Sequence, residues 1–350
     1  MKKILSFFAL SAAMLVVLSC NKMEPSVVAT EPDLTESIPM TRAIGDKDLI
    51  MTVYVETNDV NPLNAMDYLL NGEMTFFDIV ELFASNIHKT TVSGVTQPTL
   101  YLNDKLAPVL EGNGVNTYVR PLQNAGMKVL LTVLGDWQGI GVANMNTTQQ
   151  KQFANILAWA VQKYGLDGIG FDDEYADYST ALVSGSYSNI ITYTRELIGN
   201  DKIITVFDWG NTNMISSAAT ADVDYIYHGY FGSYLSKSWC RMPGVTNSQW
   251  FPLSLNLGNS YNANTIEGYA EDAVNDGYAG IMCFNLRTKA EKDPTPVLQA
   301  ISDGAFGGMT VSCTNGNRSR DAGSDPDGCT LTNAEAKAGL AAAGKTYYNL

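Results

Sequence analysis

Eight short apolar runs, rich in β-branched and aromatic residues, constrain the fold of this chain more than any other feature. They are LIMTVYVET (49–57), FFDIVELFA (76–84), KVLLTVLG (128–135), LDGIGFDDE (166–174), KIITVFDWG (202–210), VDYIYHGYF (223–231), QWFPLSLNLG (249–258) and GIMCFNLR (280–287). Helical patterns separate several of them, most clearly at 147–163, 188–199 and 264–276. Such alternation marks a parallel sheet, and runs apolar on both faces fit a sheet covered by helices. Eight units over about 250 residues favour a closed (β/α)8 TIM barrel over an open doubly wound sheet. No glycine-rich dinucleotide fingerprint follows the first run.

Chemistry in such a barrel sits at the carboxyl ends of the strands. There the chain places Glu56 and Asn58, Asn86, Asp136 with Trp137 and Gln138, Asp172 to Glu174, Asp208 and Trp209, Tyr230, Asn256, and Asn285 with Arg287. The formal charge of -14 argues against a nucleic-acid partner, because no basic patch is available to neutralise phosphates. A neutral substrate fits better.

The densest of these ends is LDGIGFDDEYADY, residues 166–178. Alternate residues of a strand share a face, so Gly168, Gly170, Asp172 and Glu174 point one way, and Asp167, Ile169, Phe171 and Asp173 the other. Neighbouring like charges raise each other's proton affinity, so one carboxyl of the Asp172–Glu174 pair can stay protonated near neutrality and act as an acid. Protonating a glycosidic oxygen requires such a group. With His88 and His228 the only histidines, a His-rich metal site cannot be assembled and a Ser-His-Asp triad has little support. A carboxylate site for magnesium and a merely solvated acidic loop remain open at this point.

The segment DGIGFDDE resembles the DGxDxDxE signature of family-18 glycoside hydrolases. LDGIGFDDEYADY looks most like the endo-β-N-acetylglucosaminidases of the endoglycosidase H type. VYVETNDVNPLNAMDY, the run 77–86, VLLTVLGDWQGIG, GYFGSY and FNLRTK resemble that group's strand-end segments in the same order, so the likeness spans roughly residues 48–305. It implies an eight-stranded barrel that cleaves the GlcNAcβ1-4GlcNAc core of N-linked glycans with retention. The substrate's acetamido oxygen would be the nucleophile, with neither metal nor cofactor.

By motif position, the resemblance makes Glu174 the general acid and then base, and Asp172 the group that orients the acetamide and stabilises the oxazolinium. It gives Tyr230 the acetamide carbonyl, and has Asn285, Trp137, Gln138, Asn86 and Glu56 line the sugar site, with Asp167 and Gly170 supporting from behind. Gly170 departs from the pattern, which has an aspartate there able to share a proton with Asp172. Either water or another side chain fills the gap, or catalysis is weakened. A glycan-binding protein of low turnover on the same barrel and a chitinase are therefore the competing readings.

The first residues, MKKILSFFALSAAMLVVLSC, read as a bacterial secretory signal too short for a comfortable membrane span. Val17-Leu18-Ser19-Cys20 resembles a lipobox, which implies that residues 1–19 are removed and Cys20 is acylated. Residues 20–47, with Pro25, Pro32 and Pro39, read as a flexible tether. The expectation is a monomeric outer-membrane lipoprotein, periplasmic or at the cell surface. A C-terminal extension (306–350) follows the barrel, and Cys313 and Cys329 flank a polar loop in which a bridge between them would suit an exported protein. Asp321, Asp325 and Asp327 in that loop lack EF-hand spacing and read as solvated.

Overall fold

A computed structural model describes residues 47–325 and 327–350. Each of the eight apolar runs forms a barrel strand: β1 (Ile50–Glu56), β2 (Ile79–Val92), β3 (Lys128–Leu134), β4 (Gly168–Asp172), β5 (Ile203–Asp208), β6 (Tyr225–His228), β7 and β8 (Gly280–Phe284). Strand β7 comes in two pieces, Trp250–Phe251 and Leu253–Asn256, because Pro252 has no N–H to give the ladder. The first piece pairs with β6 and the second with β8, while β8 pairs with β1. All these ladders are parallel, so the sheet closes into the expected barrel.

Helices α1 (Thr147–Tyr164), α2 (Ser186–Ile198), α3 (Ala263–Asn275) and α4 (Thr295–Ala305) follow strands of the sheet. Helix α1 shows why the chain turns where it does. Asn146 and Gln149 form a reciprocal capping box at its start, and Gly165 takes the left-handed conformation that ends it (φ 59°). Its buried stripe, Phe153, Ile156, Leu157, Ala160 and Val161, belongs to a large apolar core that also takes in the outward strand residues Ile169 and Phe171. A separate, smaller cluster fills the barrel lumen: Tyr54, Phe207, Tyr227, Phe251 and Met282. Buried polar residues, Thr52, Glu81, Thr132, Thr205 and Ser254, share the strands with it.

Several boundaries differ from the sequence reading. Strand β2 continues to Val92, turns at Ser93–Gly94 (φ 49° and 79°) and returns antiparallel as Val95–Leu102. Asn86 thus lies within a long strand, opposite Tyr101, instead of at a strand end. The region 306–350 is woven into the body. Val311–Cys313 pairs with Tyr68–Leu70, Cys329–Leu331 pairs with Val95–Leu102, and α5 (Asn333–Ala342) lies against α1.

Because those two short strands join different sheets, Cys313 and Cys329 are both free, and the bridge expected between them is not formed. The polar loop connecting them is held by protein: Arg318 bonds to Asp67 at 2.9 Å, and Tyr118 donates to Asp321 at 2.7 Å. Lys47, assigned to the tether, is packed instead, its ammonium 2.9 Å from Asp78. The signal at 1–19, Cys20 and the rest of the tether lie outside the described residues. Among the described residues no helix is long and apolar enough to cross a membrane.

Candidate active site

A cavity of about 390 Å³ opens at the carboxyl ends of the strands. Asp172 and Glu174 both line it, so the face predicted from strand alternation does point inward. Asp172 is buried and Glu174 half-buried. Asp172 Oδ1 has no hydrogen-bond partner. Burial, followed by the charges of Glu174, Asp173 and Glu81, pushes the Asp172 carboxyl well above the usual range, and burial raises Glu174 as well. Asp173 points outward, accepting from Tyr178 and, at 2.8 Å, from both the backbone and side-chain nitrogens of Asn211. It ties the loop after β4 to the loop after β5.

Gly135 permits the loop after β3 to run directly beside Glu174. Its N–H donates to the Glu174 carbonyl at 3.1 Å, and a Cβ at this position would lie 2.3 Å from that oxygen. Two residues on, Trp137 donates to the Tyr175 carbonyl, and the two rings lie 5.0 Å apart. Tyr175 lines the cavity, whereas Trp137, 63% exposed, extends the aromatic surface beyond its edge.

The opposite wall is a continuous run of rings, Trp209, Phe207, Phe231, Phe284, Phe83 and Tyr54, with successive centroids 5.6 to 6.5 Å apart. Such faces suit the C–H surfaces of a sugar and exclude water from the carboxyls. Glu56 closes the rim, its carboxylate 3.1 Å from Arg287.

Other predicted site residues fall elsewhere. Gly229 and Phe231 line the cavity, and the Tyr230 between them is 54% exposed, its ring edge against Trp209, itself a lining residue. Tyrosines that do border the cavity are Tyr54 and Tyr175, and the buried hydroxyl of Tyr54 has no partner. Asn285 donates to Asn256 at 3.1 Å, and Asn86 reaches the Gly135 carbonyl at 3.4 Å. Neither they nor Gln138 is among the residues lining this cavity.

Asp167 lies just before the amino end of β4, where it accepts from Gln123 at 2.7 Å and from the Val129 N–H at 3.0 Å. Four residues of strand separate it from Asp172, so it braces the far end of the barrel. His88 pairs with Asp136 at 2.7 Å, and His228 is bonded to the Pro252 carbonyl at 2.8 Å. Among the described residues no group of three or more His, Cys, Asp or Glu could hold a metal ion.

Sequence reasoning missed Glu81. This β2 residue is fully buried, and its carboxyl accepts from Thr132 at 2.9 Å and Thr205 at 2.6 Å. A Cβ on Gly170 would meet its oxygens at 2.5 and 2.9 Å. The space left by the glycine is occupied by a carboxyl from another strand.

A parallel barrel whose strand ends hold a desolvated carboxyl pair against an aromatic wall defines a glycoside hydrolase. The chain matches no family model. It is 31% identical to endo-β-N-acetylglucosaminidase F1 of Elizabethkingia meningoseptica over 277 residues, covering 74% of this chain and 78% of the relative. An endo-β-N-acetylglucosaminidase of Flavobacterium sp. (strain SK1022) is 30% identical over 262 residues, covering 73% and 79%. The crystal structure of EndoBT-3987 from Bacteroides thetaiotaomicron in complex with Man9GlcNAc2Asn substrate superposes with a TM-score of 0.66 at 25% identity, covering 81% of this chain and 72% of that one. The chain belongs to the family-18 endo-β-N-acetylglucosaminidases.

Proposed function

We propose that the protein hydrolyses the β1-4 bond between the two core GlcNAc residues of N-linked glycans, by a retaining, substrate-assisted route. The observation that carries this is the placement of Asp172 and Glu174 two residues apart on the inward face at the end of β4, bordering one cavity. Its relatives are named for this class of activity, and the similar EndoBT-3987 binds Man9GlcNAc2Asn.

Burial raises the proton affinity of Glu174, which lines the cavity where a glycosidic oxygen would sit. As the Glu174 proton passes to the leaving oxygen, the acetamido carbonyl oxygen bonds to the anomeric carbon. The bond to the leaving sugar breaks, with its electron pair going to that oxygen. The resulting oxazolinium is cationic, and the Asp172 carboxylate balances it. Glu174, now ionised, takes a proton from water as the water oxygen adds to the anomeric carbon from the vacated face. The acetamide is regenerated and the configuration retained.

The protein acts, in this reading, as an exported monomer held at the outer membrane through an acylated Cys20, on the periplasmic or outer face. A lipoprotein anchor would keep the barrel near glycoproteins without a spanning helix.

Incubation with a high-mannose and a complex-type glycoprotein, followed by mass analysis of both products, tests the function. One GlcNAc left on asparagine is the expected result for at least one substrate. Binding of both glycans without cleavage would instead make the protein a lectin.

A further inference from the structure

Two carboxyls, Asp172 and Glu81, are buried inside the barrel. Asp172 follows Gly170 by two residues and so shares its face, and the oxygens of Glu81 lie where a side chain on Gly170 would begin. Each Glu81 oxygen accepts one threonine hydroxyl, leaving further lone pairs unused. Asp172 has one oxygen with no partner at all. The charged groups that bear on Asp172 are Glu174, Asp173 and Glu81, all acidic. Two carboxylates buried in one lumen without a nearby cation would cost several kcal/mol, so one of them retains a proton.

We propose that Glu81 is a positioning residue of the reaction. It takes a proton from Asp172 as positive charge develops on the substrate, and returns it when the oxazolinium is hydrolysed. The proton leaves an Asp172 oxygen and binds a Glu81 oxygen, so the pair carries a single negative charge throughout. That charge moves to Asp172 at the moment the oxazolinium needs it. Burial raises Glu81 to about 7, so near neutrality it both accepts and releases a proton. Gly170 has a reason in this arrangement: a carboxyl rooted at 170 and one rooted at 81 would contend for the same space.

The groups facing Glu81 from the packed strands are Tyr54 of β1, Thr132 of β3, Asp172 of β4, Thr205 of β5 and Tyr227 of β6. None is a cation, and burial holds both tyrosines far above neutrality, so Asp172, which the Glu81 charge raises, is the acidic group facing it. The proposal rests on Asp172 supporting the oxazolinium, and the test separates the two.

Turnover and its pH profile are measured for the parent, Asp172→Asn, Glu81→Gln, Gly170→Asp, Glu81→Ala and the combined Glu81→Ala/Gly170→Asp. Glu81→Gln is expected to lower kcat about tenfold or more, some 1.4 kcal/mol, with KM changed less than about twofold. The ionisation of Asp172 should move to lower pH once its acidic neighbour is gone. Gly170→Asp alone should lose activity through crowding. The combined variant should exceed both of its single parents, because it moves the carboxyl back to β4. A folded Glu81→Gln with unchanged kcat and pH profile, beside an inactive Asp172→Asn, would overturn the proposal alone. Full turnover in Asp172→Asn would overturn both it and the reading of the site. Should the combined variant not fold, the pH profile of the isosteric Glu81→Gln decides.

Discussion

Gly135 and Glu174 meet backbone to backbone: the Gly135 N–H donates to the Glu174 carbonyl at 3.1 Å, and any side chain at 135 would begin 2.3 Å from that oxygen. The loop after β3 thereby fixes the height at which Glu174 enters the cavity. Gly135→Ala is expected to destabilise the fold by about 1–3 kcal/mol, the usual cost of forcing atoms into filled space. It should also lower kcat more than it raises KM, since the displaced backbone carries the proton donor. Thermal unfolding and steady-state kinetics on the same preparation check both parts.

Trp137 and Tyr175 form the outer aromatic surface, both with positive φ (48° and 56°) and half or more exposed. A sugar lying across them would gain stacking energy without touching the carboxyls. Trp137→Ala should therefore raise KM several-fold, on the order of 1 kcal/mol, and leave kcat within about twofold of the parent. A fall in kcat at constant KM would show that the ring acts on the chemical step.

Burial holds Glu81 at about 7 in the fold against 4.5 in an open chain. Between those values the folded protein binds more protons than the unfolded one, so this residue makes stability fall as pH rises through the window. Below pH 4.5 both states are protonated at this site and the penalty is absent. Glu81→Gln removes it, so the melting temperature of the variant should gain on that of the parent from pH 4.5 to 7 and then level off. Parallel melting curves across this range would contradict the assignment.

The eight apolar runs sufficed to read the barrel, because a strand buried on both faces needs no partner to be recognised. Alternation along LDGIGFDDE likewise placed Asp172 and Glu174 together. The hairpin at Ser93–Gly94 was not read from the sequence, because the polar residues of HKTTV carry no apolar run into it. Glu81 was not legible at all. Its hydrogen-bond partners lie 51 and 124 residues away, and only barrel closure brings them and Gly170 around it. Tyr230 was assigned by resemblance and lies in the loop after the strand, where Gly229 brings the backbone against Trp209 and strand alternation gives no direction.

Cys313 and Cys329 belong to strands of different sheets, paired to Tyr68 and Leu102. Peptide mapping without reduction should find no linked fragment containing both, and a reductant should leave the melting temperature unchanged. A linked fragment would place the C-terminal region differently from the arrangement described.

Glu174 as the proton donor is the centre of the account, and Glu174→Gln tests it most directly. The substitution keeps size and hydrogen-bonding capacity while removing the transferable proton, and general acid–base catalysis contributes about 10²–10⁴-fold to rate. Release of glycan from a glycoprotein that the parent cleaves is measured for both proteins, together with binding of the same glycan. The account predicts turnover reduced by at least about a hundredfold with glycan affinity preserved. Unchanged turnover in the folded Glu174→Gln protein would contradict it.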